Sequence, residues 1–141
     1  MAVTTVQDVM TRHVVCMQVE TTLDKAAATM RDQGIGDVVV ADGDRVVGLV
    51  TDRDIVVRAV ADGRDPAATT LGSVVSRDLV AVRPDDTAQE AALLMRDRAV
   101  RRVLVLDAEQ GLVGILSIGD LAVEIDPDSV LGGISEAAPN T

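Results

Sequence analysis

Along residues 37–51 two dense apolar runs, "DVVVAD" and "RVVGLV", flank the polar turn "ADGD", a pattern that predicts an antiparallel strand pair. Ahead of it, "TTLDKAAATMRDQG" at 21–34 spaces Leu23, Ala26, Ala27 and Met30 at helical intervals. Thr21 and Asp24 fit a capping box that opens this helix, and Gly34 closes it. The β-branched "HVVCMQV" at 13–19 reads as a short strand before the helix, and "DRDIVVRAVADG" at 52–63 as a second helix after the strand pair. The predicted order is strand, helix, strand, strand, helix.

The series is then written again. Aligning residue 9 with residue 74 matches 9–42 to 74–107, and one extra residue in the second turn then brings "VVGLVTDRDI" (46–55) onto "LVGILSIGDL" (112–121). The second copy reads as a strand in "LVAVRP", a helix over "TAQEAALLMRDRA" with Thr87 and Glu90 as its box, strands "RVLVLD" and "LVGIL" around "DAEQG", and a shorter helix "IGDLAVEI". Two copies argue for a paired arrangement and against a solenoid. Each copy leaves an apolar sheet face and an apolar helix stripe too large to stay wet on about 60 residues, so the halves are expected to pack face to face. The expected organisation is one motif over 1–64 and a second over 65–125, joined through "ADGRDPAATT" at 61–70 and a short helix at 71–75. The stretch 126–141 reads as a flexible tail.

Composition narrows the chemistry. The 141 residues are 48% hydrophobic yet contain no Phe, Tyr or Trp, so Val, Leu, Ile, Ala and Met must build the core and no aromatic platform can stack a base. Lys and Arg number 13 against 23 Asp and Glu, and the net charge of −10 repels nucleic acid and anionic lipid. Neither a signal peptide nor a membrane span is legible, which predicts a cytoplasmic protein without nucleic-acid or membrane partners. One cysteine, Cys16, and one histidine, His13, supply no metal-ligand cluster and no disulfide. Cys16 is expected to be buried and inert, and Met10, Met17, Met30 and Met95 to fill the core. No nucleophile, base and orienting group recur together, so the chain is read as no enzyme.

The twin phrases "GLVTDRDI" and "GILSIGDL", the "RRVLVLD" before the second, and the order of the repeat resemble the paired CBS domain, or Bateman module, across about residues 6–125. The resemblance implies an α+β fold of two pseudo-twofold related β-α-β-β-α motifs. It also implies a regulatory role, homodimerisation through helices, an effector protein as partner, and a cleft for AMP, ATP or S-adenosylmethionine, with no cofactor required. Each of two sites would join the repeated phrase of one half to the strand entries of the other. The first would hold Leu49, Thr51, Arg53 and Asp54 with Val80, Val100, Arg101 and Arg102, where three guanidinium groups suit a phosphate. The second would hold Ile115, Ser117, Gly119 and Asp120 with Val15, Ile35, Gly36 and Asp37. An aspartate and a glycine there replace cations, making it the weaker site.

Two features keep a plainer reading open. The Ser/Thr-x-x-Asp spacing of Thr51/Asp54 and Ser117/Asp120 is itself a capping box, which also occurs at Thr5/Asp8 and Thr87/Glu90. Where the family usually has proline, this chain has Val39 and Leu104, each with a backbone N–H to donate. The alternative is a ligand-free stress or interaction module that keeps the fold and uses aliphatic helix faces, with Ile55, Val56, Val60 and Leu121, for assembly.

Overall fold

The computed structural model describes residues 3–77 and 79–125. The expected tail, 126–141, lies outside the described residues. The chain is α+β and divides into two compact units.

The first unit spans Val15–Leu79 and is built on the sheet order β1 (Cys16–Gln18), β2 (Asp37–Asp42), β3 (Arg45–Thr51). Strands β1 and β2 are parallel, so the chain needs a crossover between them, and α2 (Leu23–Gln33) supplies it. The turn after β2 returns β3 antiparallel, with Val40 opposite Gly48 but Ala41 opposite Val46, so Val47 is the extra residue of a bulge. Val38, Val40 and Val50 pack with Leu23, Ala26 and Met30 of α2 in the core.

The second unit repeats this plan with β4 (Ala81–Val82), α5 (Ala88–Arg98), β5 (Arg102–Leu106) and β6 (Leu112–Ser117), followed by α6 (Ile118–Ile125). Its bulge lies at Val113, because Val105 faces Gly114 while Leu106 faces Leu112. The first repeat ends in a different helix. There α3 (Asp52–Ile55) runs on into a π-helical turn at Val56–Val60, in which the Ala61 N–H donates to Val56 O (2.9 Å) and the Arg64 N–H to Ala59 O (3.0 Å).

The compact units do not coincide with the division into 1–64 and 65–125. Helix α4 (Leu71–Val74), which precedes the second repeat in sequence, packs Leu71 and Val74 into the core of the first unit. Helix α1 (Val6–Val9) likewise precedes the first repeat but lies with the second unit, where Val6 is fully buried. The exchange is stitched by matching backbone bonds. Leu71 N–H donates to Thr21 O (2.8 Å) and Gly72 N–H to Val19 O (3.0 Å). Val6 N–H donates to Asp86 O (2.8 Å) and Gln7 N–H to Pro84 O (3.0 Å).

Three local expectations need correction. The cap of α2 is Thr22, not Thr21, and the Thr22 hydroxyl bonds the Asp24 carboxylate. Thr21 instead gives its carbonyl to Leu71. Of the four aliphatic residues expected on assembly faces, Ile55 and Leu121 are buried in the cores, whereas Val56 and Val60 are each 56% exposed. Cys16 is exposed, and its thiol is pushed up by desolvation, which disfavours the thiolate.

Candidate functional site

Thr51 ends β3 in an extended conformation and caps α3. The Asp54 N–H donates to Thr51 Oγ1 (3.0 Å), and the Thr51 N–H donates to Asp54 Oδ2 (2.9 Å), so the first phrase closes as a reciprocal box. The other carboxylate oxygen of Asp54, Oδ1, lies 3.9 Å from Arg58 Nε, with the Asp54 side chain 25% exposed. The second phrase closes in the same way: Asp120 N–H to Ser117 Oγ is 3.1 Å and Ser117 N–H to Asp120 Oδ2 is 3.0 Å. The capping role of both pairs is therefore realised in full. Each box leaves one carboxylate oxygen outside the reciprocal pair.

Strand pairing sets the neighbours of each box within its own unit. Asp37 pairs with Thr51 across β2 and β3, and the Asp52 N–H donates to Gly36 O at 3.0 Å. Arg102 pairs with Ser117 across β5 and β6, and the Ile118 N–H donates to Arg101 O at 2.9 Å. The first unit thus brings Thr51 and Asp54 beside Gly36 and the anionic Asp37. The second unit brings Ser117 and Asp120 beside Arg101 and Arg102. Each of the two residue sets expected from sequence takes half its members from each unit: Leu49, Thr51, Arg53 and Asp54 lie in the first, and Val80, Val100, Arg101 and Arg102 in the second. For the other set, Val15, Ile35, Gly36 and Asp37 lie in the first unit and Ile115, Ser117, Gly119 and Asp120 in the second. Arg53 and Arg101 are exposed, Arg102 is half-buried, and Ile115 is buried in its sheet.

The absent prolines have a structural consequence. The Val39 N–H donates to Val15 O at 2.8 Å, and the Leu104 N–H donates to Val80 O at 3.2 Å. Proline could make neither bond. Both strand-entry carbonyls are therefore tied into their own parallel ladder, and Val39 and Leu104 are buried.

Arg58 was not among the residues singled out from sequence. Its Nη1 donates to Val74 O at 3.0 Å while Nε faces Asp54. The available signal was its position four residues after Asp54, on one side of the helix. Among the described residues no group of three or more His, Cys, Asp or Glu side chains is placed to hold a metal ion, and no helix is long and apolar enough to cross a membrane.

Two sheets of this topology, each feeding a capped helix from the same phrase, define a tandem-motif protein. The CBS-domain family model matches residues 6–60 and again 71–126, and the chain belongs to that family. It is 36% identical over 118 residues to the CBS domain-containing protein YhcV of Bacillus subtilis, covering 84% of this chain and 83% of that one. It is also 36% identical over 129 residues to hypoxic response protein 1 of Mycobacterium tuberculosis, covering 91% of this chain and 90% of that protein. A crystal structure of hypoxic response protein I with two coordinated zinc ions superposes with a TM-score of 0.74 at 37% identity, over 86% of this chain and 98% of that one. The CBS pair of MJ0100, solved with 5′-methylthioadenosine and S-adenosylmethionine, superposes with a TM-score of 0.80 over 91% of this chain and all of that one. At 20% identity this likeness is one of fold alone.

Proposed function

We propose that this chain is a non-enzymatic regulatory module that binds an adenosyl ligand, AMP, ATP or S-adenosylmethionine, and signals its occupancy to an effector protein. CBS-pair proteins are regulatory modules, and the structure of one pair holds adenosyl compounds. The observation that carries the reading is the oxygen of Asp54 outside the box, since Oδ2 is fixed by the Thr51 N–H while Oδ1, 3.9 Å from Arg58 Nε, keeps lone pairs for ribose hydroxyls. In this reading Thr51, Asp54, Arg53 and Leu49 serve the first site with Val80, Val100, Arg101 and Arg102, the arginines taking the phosphate. The Ser117/Asp120 site is the weaker one. The module works in the cytoplasm as a homodimer, with the exposed Val56, Val57 and Val60 available for the contact.

The test is a thermal-shift titration with AMP, ADP, ATP and S-adenosylmethionine on wild type, Asp54→Ala and Asp120→Ala. Both variants lose the carboxylate half of a capping box and start less stable, so the quantity read is the ligand-induced rise within each protein. Ligand at ~100 times Kd adds roughly 2.7 kcal/mol, or about 5 to 12 °C, in wild type and Asp120→Ala but not in Asp54→Ala. Retention in Asp54→Ala with loss in Asp120→Ala would reverse the assignment of the sites. A second reading, a ligand-free interaction module, is favoured by the Val39 and Leu104 bonds, which commit the Val15 and Val80 carbonyls to the sheet. Absence of any rise in a cooperatively melting wild type selects it.

A further inference from the structure

We propose that Arg58 is a positioning residue that relays occupancy of Asp54 to helix α4 and to the segment by which the chain leaves the first unit. The inference rests on the adenosyl-ligand reading of Asp54 and adds the route by which occupancy is felt elsewhere. Arg58 sits at the centre of the π-helical turn and makes two contacts with different ends of its guanidinium. Its Nε faces Asp54 Oδ1 at 3.9 Å, and its Nη1 donates to the carbonyl of Val74, the last residue of α4, at 3.0 Å. The two oxygens of Asp54 are similarly divided, because Oδ2 is held by the Thr51 N–H and only Oδ1 addresses both Arg58 and an incoming ligand.

Hydroxyl hydrogens donated to Oδ1 draw away the charge that attracts Arg58. The guanidinium is then held chiefly by the Val74 carbonyl, and its pull on α4 changes. Beside the packing of Val74 and Val75 in the core, backbone bonds hold the end of that helix. The Ser73 N–H donates to Thr70 O (3.1 Å), the Val75 N–H to Leu71 O (2.9 Å), and Ser76 bridges to Leu49 before the chain passes out of the unit at Leu79. Arg64, four residues past the same π-helical turn, braces the helix from the side through Ser73 Oγ at 3.1 Å.

The second copy differs in sequence at the corresponding position. Aligning Asp54 with Asp120 places Glu124 where Arg58 stands, and a carboxylate has no hydrogen to give a carbonyl at neutral pH.

The experiment measures amide hydrogen exchange of Ser73 and Val75 in wild type and Arg58→Gln, with and without AMP, ATP and S-adenosylmethionine in turn, alongside calorimetric affinities for the same three compounds. Without ligand, Arg58→Gln speeds exchange of these two amides about tenfold while leaving Val39 and Val50 in the sheet unchanged. With ligand, wild type shows a several-fold change at Ser73 and Val75, and Arg58→Gln binds but shows none. Should Arg58→Gln lose binding outright, the comparison is made in Arg58→Lys, which keeps the charge beside Asp54 but lacks the second arm of the fork. An equal ligand response in wild type and the variant overturns the relay and leaves the ligand reading standing. No binding of any of the three compounds to wild type overturns both.

Discussion

Ala99 occupies the position after α5 that Gly34 occupies after α2, and both are left-handed, with φ 54° at Ala99 and φ 64° at Gly34. A Cβ at that conformation is strained by its own backbone. Ala99→Gly is accordingly expected to stabilise the protein by about 1 kcal/mol, and Gly34→Ala to destabilise it by a similar amount, since no heavy atom lies within 4 Å of the added Cβ and the cost is backbone strain alone. Urea unfolding of the two variants checks the pair, and a lower midpoint for Ala99→Gly would refute the account. The helix ends were legible because the signals are local, a glycine or a capping pair within one turn. Thr21 against Thr22 shows the limit. Both threonines precede the helix, and the choice was made by the Thr22 bridge to Thr70 and the Thr21 carbonyl bond to Leu71, partners from a distant stretch of chain. Cys16 shows it again, since its position in a strand says nothing of which edge or face stays open.

At the scale of elements, the repeated phrase turns out to serve two purposes, of which one was readable. Its Ser/Thr-x-x-Asp end starts a helix, a local rule. Its leading glycine makes room for the exchanged segment. A Cβ on Gly48 would stand 2.4 Å from the Ser76 backbone oxygen and 3.0 Å from Val75 Cγ2, and one on Gly114 would stand 2.7 Å from the Thr11 oxygen and 2.9 Å from Met10 Sδ. These approaches come with the isolated bridges Leu49 to Ser76 and Thr11 to Ile115. Gly48→Ala and Gly114→Ala should each cost about 1–3 kcal/mol in chemical unfolding. Gly48→Ala should be the more severe, because its Cβ would press closer on the Ser76 carbonyl than a Cβ on Gly114 would on the Thr11 carbonyl. Equal or negligible losses would mean that the crossing segments shift freely. The π-helical turn was likewise unreadable. Val56, Val57 and Val60 suit an ordinary amphipathic turn, and only the bonds from Ala61 and Arg64 to carbonyls five residues back reveal the wider winding that presents Arg58 to Val74.

For the whole molecule, the duplicated sequence and the duplicated structure are cut at different places, and this decides how the protein should fail. Residues 3–14 belong to the second unit although they adjoin the first repeat, and they give it Val6, fully buried, together with a backbone bond from the Ala88 N–H to the Thr4 carbonyl and bonds between Thr11 and Ile115. The halves drawn from sequence follow the repeat, because similarity between copies carries no record of which sheet a preceding segment covers. Removing residues 1–12 is therefore expected to weaken the distant half in sequence and to spare the near one. Burial of Val6 alone is worth about 1.5–3 kcal/mol, and the orphaned Ala88 and Ile115 amides add to the loss. Native-state hydrogen exchange on the truncated chain should show Val103, Val105 and Leu116 exchanging faster by about one to two orders of magnitude, with Val38, Val40 and Val50 nearly unchanged. Faster exchange confined to β1, β2 and β3 would contradict the exchanged architecture. Equal acceleration in both sheets would show that the two units open as one cooperative body, in which case a ligand bound to either phrase would stabilise both.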